Sequence, residues 1–164
     1  MKKLFVIRHA KSDQSFFGND FERPLNERGK TDAVMMANRL FEKEPVIDAF
    51  VSSPAKRAKK TAEVFATAYG HVADDLILVS ALYQAPPEVF YEVITGLPDK
   101  FNAVAIFSHN PGISFFVNDM VEGVRIDNMP TCGIFAVQAH IGQWTGFMKA
   151  KKEFINFNYP KLIV

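Results

Sequence analysis

The stretch LFVIRHAKS, residues 4–12, begins with four apolar residues and then becomes polar. A continuous apolar run of this length is typical of a strand buried on both faces of a parallel sheet. Residues 103–107 repeat the apolar pattern and run into Ser108, His109 and Asn110. The sequence therefore predicts two buried strands, each of which delivers a histidine, His9 or His109, to its carboxyl end.

Alternating strand and helix signals continue along the chain. Four helices are predicted to start at a cap residue or a proline, namely at Asn26, Ser53-Pro54, Pro86-Pro87 and Pro111. The first helix should stop before Pro45, and the second should end at Gly70. Further strands are predicted at residues 49–51, 76–79, 134–137 and 144–148, and residues 154–159 should form an edge strand or coil.

This alternation implies a three-layer α/β/α fold, with a mainly parallel sheet and helices on both of its faces. A length of 164 residues predicts a single domain over residues 1–164. Ligands of such sheets bind outside the carboxyl ends of the strands. Arg8 with His9, Ser53 with Arg57, and His109 should therefore meet in one crevice.

The composition is that of a globular protein without a global charge bias. Hydrophobic residues make up 48% of the chain, and 19 basic against 18 acidic side chains leave a net charge of +1. No global field therefore favours nucleic acid or an anionic membrane, so an anion site must be local. Cys132 is the only cysteine and is expected to be a buried, inert thiol. The apolar run before Arg8 is too short for a signal peptide or a membrane span, and a cytoplasmic protein is expected.

The start of the second predicted helix carries an unusual charge pattern. Four cations crowd a helix end that is already partially positive: Lys56, Arg57, Lys59 and Lys60. The helix dipole disfavours each of them by a few tenths to about 1 kcal/mol. An anion bound by the helix N–H groups and the Arg57 fork would resolve this conflict. The alternative is a solvated basic face, which we expect for the three lysines.

The two histidines at strand ends can be structural or catalytic. Taken singly, a histidine in such a position is more often a hydrogen-bonded structural residue. An imidazole can attack phosphorus, however, and neighbouring cations can stabilise the oxygens of the transition state. Two histidines together with Arg8 and Arg57 therefore favour phosphoryl chemistry. Zinc is disfavoured, because the chain has no clustered Cys/His spacing and the arginines would repel a cation.

Together these motifs resemble the histidine phosphatase superfamily, in its compact branch typified by the SixA phosphohistidine phosphatases. The resemblance covers nearly the whole chain. It rests on RHAKS (8–12), RPL (23–25) with Gly29, SSP (52–54) with Arg57-Ala58 and Thr61-Ala62, and SHNP (108–111). The Arg-His pair alone would be weak, whereas the whole set is highly specific. It implies a histidine-phosphatase (phosphoglycerate-mutase-like) fold without the large cap insertions of sugar-phosphate and phytate relatives.

The resemblance also implies roles for individual residues. His9 would be the phosphorylated nucleophile, and the phosphate pocket would be formed by Arg8, Arg57 and His109. No metal and no other cofactor would be needed. Ser15, six residues after the nucleophile, is a weaker candidate for a phosphate contact.

Three other positions do not match the motifs of the superfamily. Ala10 stands where the superfamily's signature has glycine, which is a small change. His71 and His140 match no motif and are expected at the surface.

The general acid is the point at which this sequence departs from the larger relatives. Larger relatives that cleave phosphate esters usually supply a glutamate after the third strand, because an alkoxide leaving group needs a proton. Glu88 is the nearest carboxylate here, but its place just after Pro87 also suits a structural role in the first turn of a helix. An imidazole leaving group can be protonated before P–N cleavage, so the weak acid signal favours phosphohistidine as the substrate.

The expected function is therefore a phosphatase that acts on phosphohistidine of a protein, such as a signalling phosphotransfer domain. A phosphorylated protein or a small phosphorylated molecule is the expected partner. A small-molecule phosphomonoesterase that uses Glu88 stays open, as does a non-catalytic phosphoprotein-binding module. The pair of histidines argues against the binding module, since arginines alone suffice to bind phosphate. Phe16, Phe17 and Phe21 are expected to pack in the core or against their own loop rather than to form a partner surface.

Overall fold

The computed structural model describes residues 1–162. Within them, six strands form one sheet and four α-helices pack against it. In chain order the elements are β1 Lys2–Arg8, α1 Glu27–Lys43, β2 Ala49–Ser52, α2 Lys56–Ala68, β3 Ile77–Leu78, α3 Pro87–Thr95, β4 Ala103–Ser108, α4 Gly112–Met120, β5 Ile134–Ala139 and β6 Glu153–Asn158. No helix in this part of the chain is long and apolar enough to cross a membrane.

The sheet has the strand order β3-β2-β4-β1-β5-β6, and its first four strands are parallel. β5 and β6 are antiparallel to their neighbours at the other side. The register pairs Arg8 of β1 with Ser108 of β4, and Ser52 of β2 with Phe107 of β4. The carboxyl ends of three strands therefore lie level and side by side, as the sequence predicts.

Helices cover both faces of the sheet, because the strand side chains alternate between two hydrophobic clusters. From β1, Leu4 and Val6 join a cluster that includes residues of α3 and α4, whereas Phe5 and Ile7 join one that includes residues of α1 and α2. Strands that bury both of their faces in this way produce the continuous apolar runs seen in the sequence. The predicted three-layer fold with a mainly parallel sheet is confirmed.

The first helix begins and ends where its signals indicate. The Asn26 side chain caps α1 by accepting a hydrogen bond from the Gly29 N–H at 2.8 Å, and α1 ends at Lys43, before Pro45. A Cβ atom at Gly29 would lie 2.0 Å from the Lys11 carbonyl oxygen. Glycine at this position therefore lets α1 pack directly on the loop that follows His9.

The predicted start of the second helix is wrong. Ala55 is the N-cap of α2, without a side-chain hydrogen bond, and Pro54 lies before the helix. The Ser53 hydroxyl accepts a hydrogen bond from the Ala55 N–H at 3.2 Å, but its other partner is His109. Ser53 therefore belongs to a side-chain cluster rather than to a helix cap. The end is as predicted, since Gly70 follows α2 with a positive φ of 80°.

The predicted strand at residues 144–148 is also wrong. Trp144–Gly146 forms a short 3-10 turn, in which the Trp144 backbone N–H donates to Asp99 Oδ1 and its indole N–H donates to the Phe101 carbonyl, each at 2.8 Å. These bonds satisfy the polar groups of a buried tryptophan without any strand partner. β6, at residues 153–158, takes the edge position, and the third strand is reduced to Ile77–Leu78.

The three phenylalanines of the first long loop have different surroundings. Phe21 is half-buried and packs edge-to-face on Tyr83, with ring centroids 5.3 Å apart. Phe16 and Phe17 are exposed, and Phe17 reaches 102% relative exposure. The packing expectation is therefore wrong for Phe17. The Phe16 ring, although 36% exposed, lies against Gly18 of the same loop, where an added Cβ atom would be 3.1 Å from Phe16 Cε2.

Candidate active site

His9 lies just after β1, at the level where the parallel strands end, and is only 6% exposed. Its Nδ1 atom is 2.7 Å from the carbonyl oxygen of Ala10. A carbonyl can only accept a hydrogen bond, so Nδ1 carries the proton and Nε2 keeps its lone pair. The backbone thus selects the tautomer in which the outer ring nitrogen has a free lone pair.

The charge state of His9 is fixed by its surroundings. Burial first, with smaller effects of His109, Arg8 and Arg57, lowers the pKa of His9 to about 3, although the hydrogen bond to Ala10 raises it. The ring is therefore neutral at physiological pH. A neutral imidazole is the form that can attack phosphorus.

The backbone around His9 is held from two sides. The Cys132 N–H donates to the carbonyls of both Arg8 and His9, at 3.1 and 3.0 Å. On the other side, the Ala10 N–H donates to Thr61 Oγ1 at 3.0 Å, and the Thr61 hydroxyl donates to the Arg57 carbonyl at 2.8 Å. Thr61 thereby ties the loop after β1 to α2. Cys132 is completely buried, as expected, and burial raises the pKa of its thiol, so its role here is structural.

His109 follows β4 and faces His9, with ring centroids 5.2 Å apart. Its Nε2 atom lies 2.8 Å from Ser53 Oγ. Among the described residues the Ser53 hydroxyl has no other acceptor for its proton, so it donates to His109 Nε2, and the proton of the neutral ring lies on Nδ1. Burial first and the Arg57 charge second lower the pKa of His109 to about 3. His109 is therefore a neutral ring with one N–H donor beside His9.

Arg8 and Arg57 bring two cations to the same place. Arg57 is only 5% exposed, and Arg8 donates from Nη1 to the Met129 carbonyl at 2.7 Å. Burial lowers the pKa of Arg8, and the charge of Arg57 lowers it further. The two guanidinium groups therefore repel each other, and an anion between them would be stabilised.

Three N–H groups of this cluster are buried without a hydrogen-bond partner among residues 1–162: Arg8 Nε, Arg57 Nε and His109 Nδ1. An unsatisfied buried donor costs about 1–3 kcal/mol, and such groups in a folded protein call for an explanation. A tetrahedral oxyanion offers several acceptor atoms close together. The arrangement is therefore suited to a phosphoryl group placed beside His9 Nε2.

Asp20 and Tyr83 are site residues that the sequence did not reveal. Arg57 donates from Nη1 to the Asp20 backbone carbonyl at 2.8 Å and from Nη2 to Asp20 Oδ2 at 3.0 Å. The Tyr83 hydroxyl donates to the same Oδ2 at 2.7 Å, and Arg23 donates to Oδ1 at 2.6 Å. These bonds, that of Tyr83 first, lower the pKa of Asp20 to about 2. Asp20 is therefore an ionised carboxylate in contact with a cation of the cluster.

The two weaker candidates lie apart from these contacts. The Ser15 N–H and hydroxyl both donate to Asp13 Oδ1, at 2.9 and 2.6 Å, so Ser15 closes an exposed turn. Glu88 is exposed in the first turn of α3 and lines a surface cavity of about 490 Å³ together with Pro87, Tyr91, Glu92, Thr95, Asp119 and Met148. No residue of that cavity belongs to the His9 cluster.

His71, His140 and the three lysines at the start of α2 also lie outside the cluster. His140 is exposed next to Glu153, and His71 is half-buried and packs on Phe50. Lys56, Lys59 and Lys60 are exposed, as predicted for a solvated basic face. Arg57 alone of the four cations at the start of α2 points into the protein.

Known proteins share sequence motifs and the fold with this chain. The sequence model of the histidine phosphatase superfamily (branch 1) matches residues 4–81, which include His9 and Arg57. Over these residues the chain is similar to the histidine phosphatase superfamily, and its fold is that of solved SixA structures.

Solved structures of histidine phosphatases have the same fold as this chain. A SixA structure from Agrobacterium tumefaciens is 23% identical, with a TM-score of 0.80, and the match covers 97% of this chain and 98% of that one. The protein histidine phosphatase SixA complexed with tungstate is 21% identical, with a TM-score of 0.81 and coverage of 96% and 97%. An uncharacterized protein of Mycobacterium tuberculosis strain H37Rv is 27% identical over 164 residues, which are 94% of this chain and the whole of that protein.

Proposed function

We propose that this protein is a histidine phosphatase, and that it hydrolyses phosphohistidine through a phosphorylated His9. In the first step, Nε2 of His9 forms a bond to phosphorus as the bond to the leaving group breaks, and the leaving group takes the electron pair. In the second step, water attacks phospho-His9 and releases inorganic phosphate and the free histidine. The observation that carries this proposal is the hydrogen bond from His9 Nδ1 to the Ala10 carbonyl at 2.7 Å, because it leaves Nε2 free in a neutral ring.

The phosphate pocket in this mechanism consists of Arg8, Arg57 and His109. Their three unpartnered N–H groups would donate to the oxygens of the phosphoryl group, and the two guanidinium charges would offset the charge of the transition state. These donors lie on a strand end, a helix start and a second strand end, so their positions are fixed before substrate binds. No metal ion enters either step.

Phosphohistidine on a protein is the substrate that we favour. The carboxylate that would serve as general acid for an ester, Glu88, lies on a cavity that excludes the His9 cluster. An imidazole leaving group does not need such an acid if its ring is already protonated. One structure with the same fold, at a TM-score of 0.81, is that of a protein histidine phosphatase, SixA, which supports this choice. A phosphorylated signalling protein is then the expected partner.

A small-molecule phosphomonoesterase is the second candidate. The mycobacterial glucosyl-3-phosphoglycerate phosphatase Rv2419c has the same fold with a TM-score of 0.67, and it is 15% identical over 94% of this chain and 97% of that one. Turnover of phosphohistidine and of a sugar phosphate by the wild type and by Glu88→Gln separates the two candidates. A loss that is confined to the sugar phosphate in Glu88→Gln would favour the esterase.

The proposed mechanism is tested by trapping the intermediate. Brief exposure to a ³²P-labelled phosphodonor, followed by alkaline denaturation, should leave label on His9 of the wild type. His9→Ala should carry no label and release no phosphate, whereas His140→Ala, which changes an exposed histidine, serves as the matched control. Label elsewhere, or turnover by His9→Ala, would contradict the proposal. Phosphate binding without release of phosphate from any donor would instead indicate a non-catalytic binding module.

A further inference from the structure

Asp20 provides an ionised carboxylate at the outer side of the phosphate pocket. Its side chain is 44% exposed, whereas the Arg57 side chain that it contacts is only 7% exposed. The same carboxylate accepts the Tyr83 hydroxyl at 2.7 Å, and the Tyr83 ring lies edge-on against His109, with centroids 5.5 Å apart. Asp20 and Tyr83 therefore lie between the buried cluster and solvent.

Asp20 and Tyr83 border the place that the leaving group would occupy in the proposed mechanism. In an in-line displacement the leaving group departs from the side of phosphorus opposite the nucleophile. His9 is buried on the inner side, and Arg57 and His109 contact the phosphoryl oxygens in the proposed mechanism. The groups that border these two residues on the solvent side, Asp20 and Tyr83, are then next to the leaving group.

An acid role for Asp20 does not fit its surroundings. The hydrogen bond from Tyr83 first, and then the bonds and charges of Arg57 and Arg23, hold the pKa of Asp20 at about 2, so the carboxyl has no proton to donate near neutral pH. A carboxylate can nevertheless accept a hydrogen bond from a cation. The question is which leaving group would offer such a donor.

Phosphohistidine offers it through the ring nitrogen that does not bear phosphorus. When that nitrogen is protonated, the ring is an imidazolium. P–N cleavage then returns the electron pair to the ring and releases neutral imidazole, with the proton still on the other nitrogen. A carboxylate that binds this N–H favours the cationic ring and so the better leaving group, without any transfer of a proton to or from the carboxylate.

We propose that Asp20 determines specificity by accepting a hydrogen bond from the free ring N–H of a phosphoimidazolium substrate. This inference rests on the proposed function and narrows it to phosphoramidates of imidazole. A phosphate ester has no such N–H, and its leaving oxygen would face a negative charge. The aromatic rings of Tyr83 and Phe21 add faces and edges against which a planar cationic ring can pack.

Asp20→Asn is the variant that tests the charge with the least disturbance. The amide keeps an oxygen that can accept from Arg57 Nη2 and Tyr83, and the bond from Arg57 Nη1 to the Asp20 backbone carbonyl does not depend on the side chain. Its NH2 group replaces Oδ1, so only the hydrogen bond from Arg23 is lost. Glu22→Gln removes an equal charge from an exposed residue of the same short turn and is the matched control.

The experiment compares kcat/KM for phosphoimidazole and for p-nitrophenyl phosphate, whose leaving group needs no proton. In Asp20→Asn the ratio of the two values should fall by about tenfold or more, as expected for the loss of a charge-assisted hydrogen bond. The decline of phosphoimidazole turnover at high pH should also move to lower pH, because the bound imidazolium loses its counter-charge. Glu22→Gln should keep the wild-type ratio and pH profile.

Other outcomes overturn the inference. An equal loss for both donors would show that Asp20 only positions Arg57, and an equal gain would show that it competes with phosphate for Arg57. These outcomes are distinct from a failure of the proposed function, in which the wild type forms no phospho-His9 from either donor.

Discussion

The Nδ1 atom of His9 and the carbonyl oxygen of Ala10 are 2.7 Å apart, so the ring is held by the residue that follows it in sequence. The hydrogen bond occupies the one ring nitrogen that lies closer to the backbone. The reactive nitrogen is therefore determined by local geometry and not by the substrate.

The first prediction follows from this contact: phosphate should be found on Nε2 of His9 and not on Nδ1. Phosphorylation of Nδ1 would need the ring to turn and would leave the Ala10 carbonyl without its donor. Chromatography of an alkaline digest of the trapped protein, with both isomers of free phosphohistidine as standards, distinguishes the two sites. Recovery of the Nδ1 isomer would show that the ring turns before it reacts.

Ser53→Ala should impair the orientation of His109. The variant removes the partner of His109 Nε2 at 2.8 Å and frees the ring to rotate or change tautomer. We expect kcat to fall by about tenfold, which corresponds to roughly 1.4 kcal/mol of transition-state stabilisation. Steady-state kinetics measure this, and Ser80→Ala, at an exposed serine, is the control. A change in kcat of less than twofold for Ser53→Ala would mean that packing alone holds His109.

Thr61→Val should destabilise the fold as well as the site. The hydroxyl of Thr61 accepts the Ala10 N–H and donates to the Arg57 carbonyl, and valine has the same shape without either bond. The free energy of unfolding should fall by about 1–3 kcal/mol, because a buried N–H is left without an acceptor. Urea titration measures this loss. Thr67→Val, at an exposed position of the same helix, should change it by less than about 0.5 kcal/mol.

The sequence predicts those site residues that lie at the ends of strands, His9 and His109. The apolar runs before His9 and before His109 are continuous and of strand length, which is typical of buried parallel strands. Parallel strands bring their carboxyl ends together. Four cations at the start of α2 conflict with the helix dipole, and this conflict predicts an anion site that includes Arg57. In these cases a local pattern carries the information. The single domain and the cytoplasmic location stay predictions.

Asp20, Tyr83 and Ser53 show what local patterns miss. Asp20 begins a short 3-10 turn, Asp20–Glu22, and is 37 residues from Arg57 and 63 from Tyr83, so no periodicity links them. Ser53-Pro54 has the sequence of a helix start, but a contact with His109 prevails over capping. Residues 144–148 contain three apolar side chains, which predict a strand, but Trp144 is fully buried in a 3-10 turn instead. Such choices depend on tertiary partners that a single chain segment does not encode.

The last prediction concerns the pH dependence of stability. The pKa values of His9 and His109 are lowered from 6.5 to about 3 in the folded protein, mainly by burial. As the pH falls below 6.5, the unfolded chain binds protons that the folded protein does not bind until about pH 3. The free energy of unfolding should therefore decline over this range, by roughly 2 kcal/mol or more between about pH 7 and about pH 5.

Asp20 does not change this expectation. Its pKa is lowered from 3.8 to about 2, so the stability that it contributes is lost only as the pH falls through that lower range. Urea unfolding at the two pH values measures the decline for the wild type and for His109→Gln. His109→Gln should show a smaller decline than the wild type, since glutamine does not titrate. An equal decline in both proteins would mean that His109 takes up its proton in the folded state near its ordinary pKa.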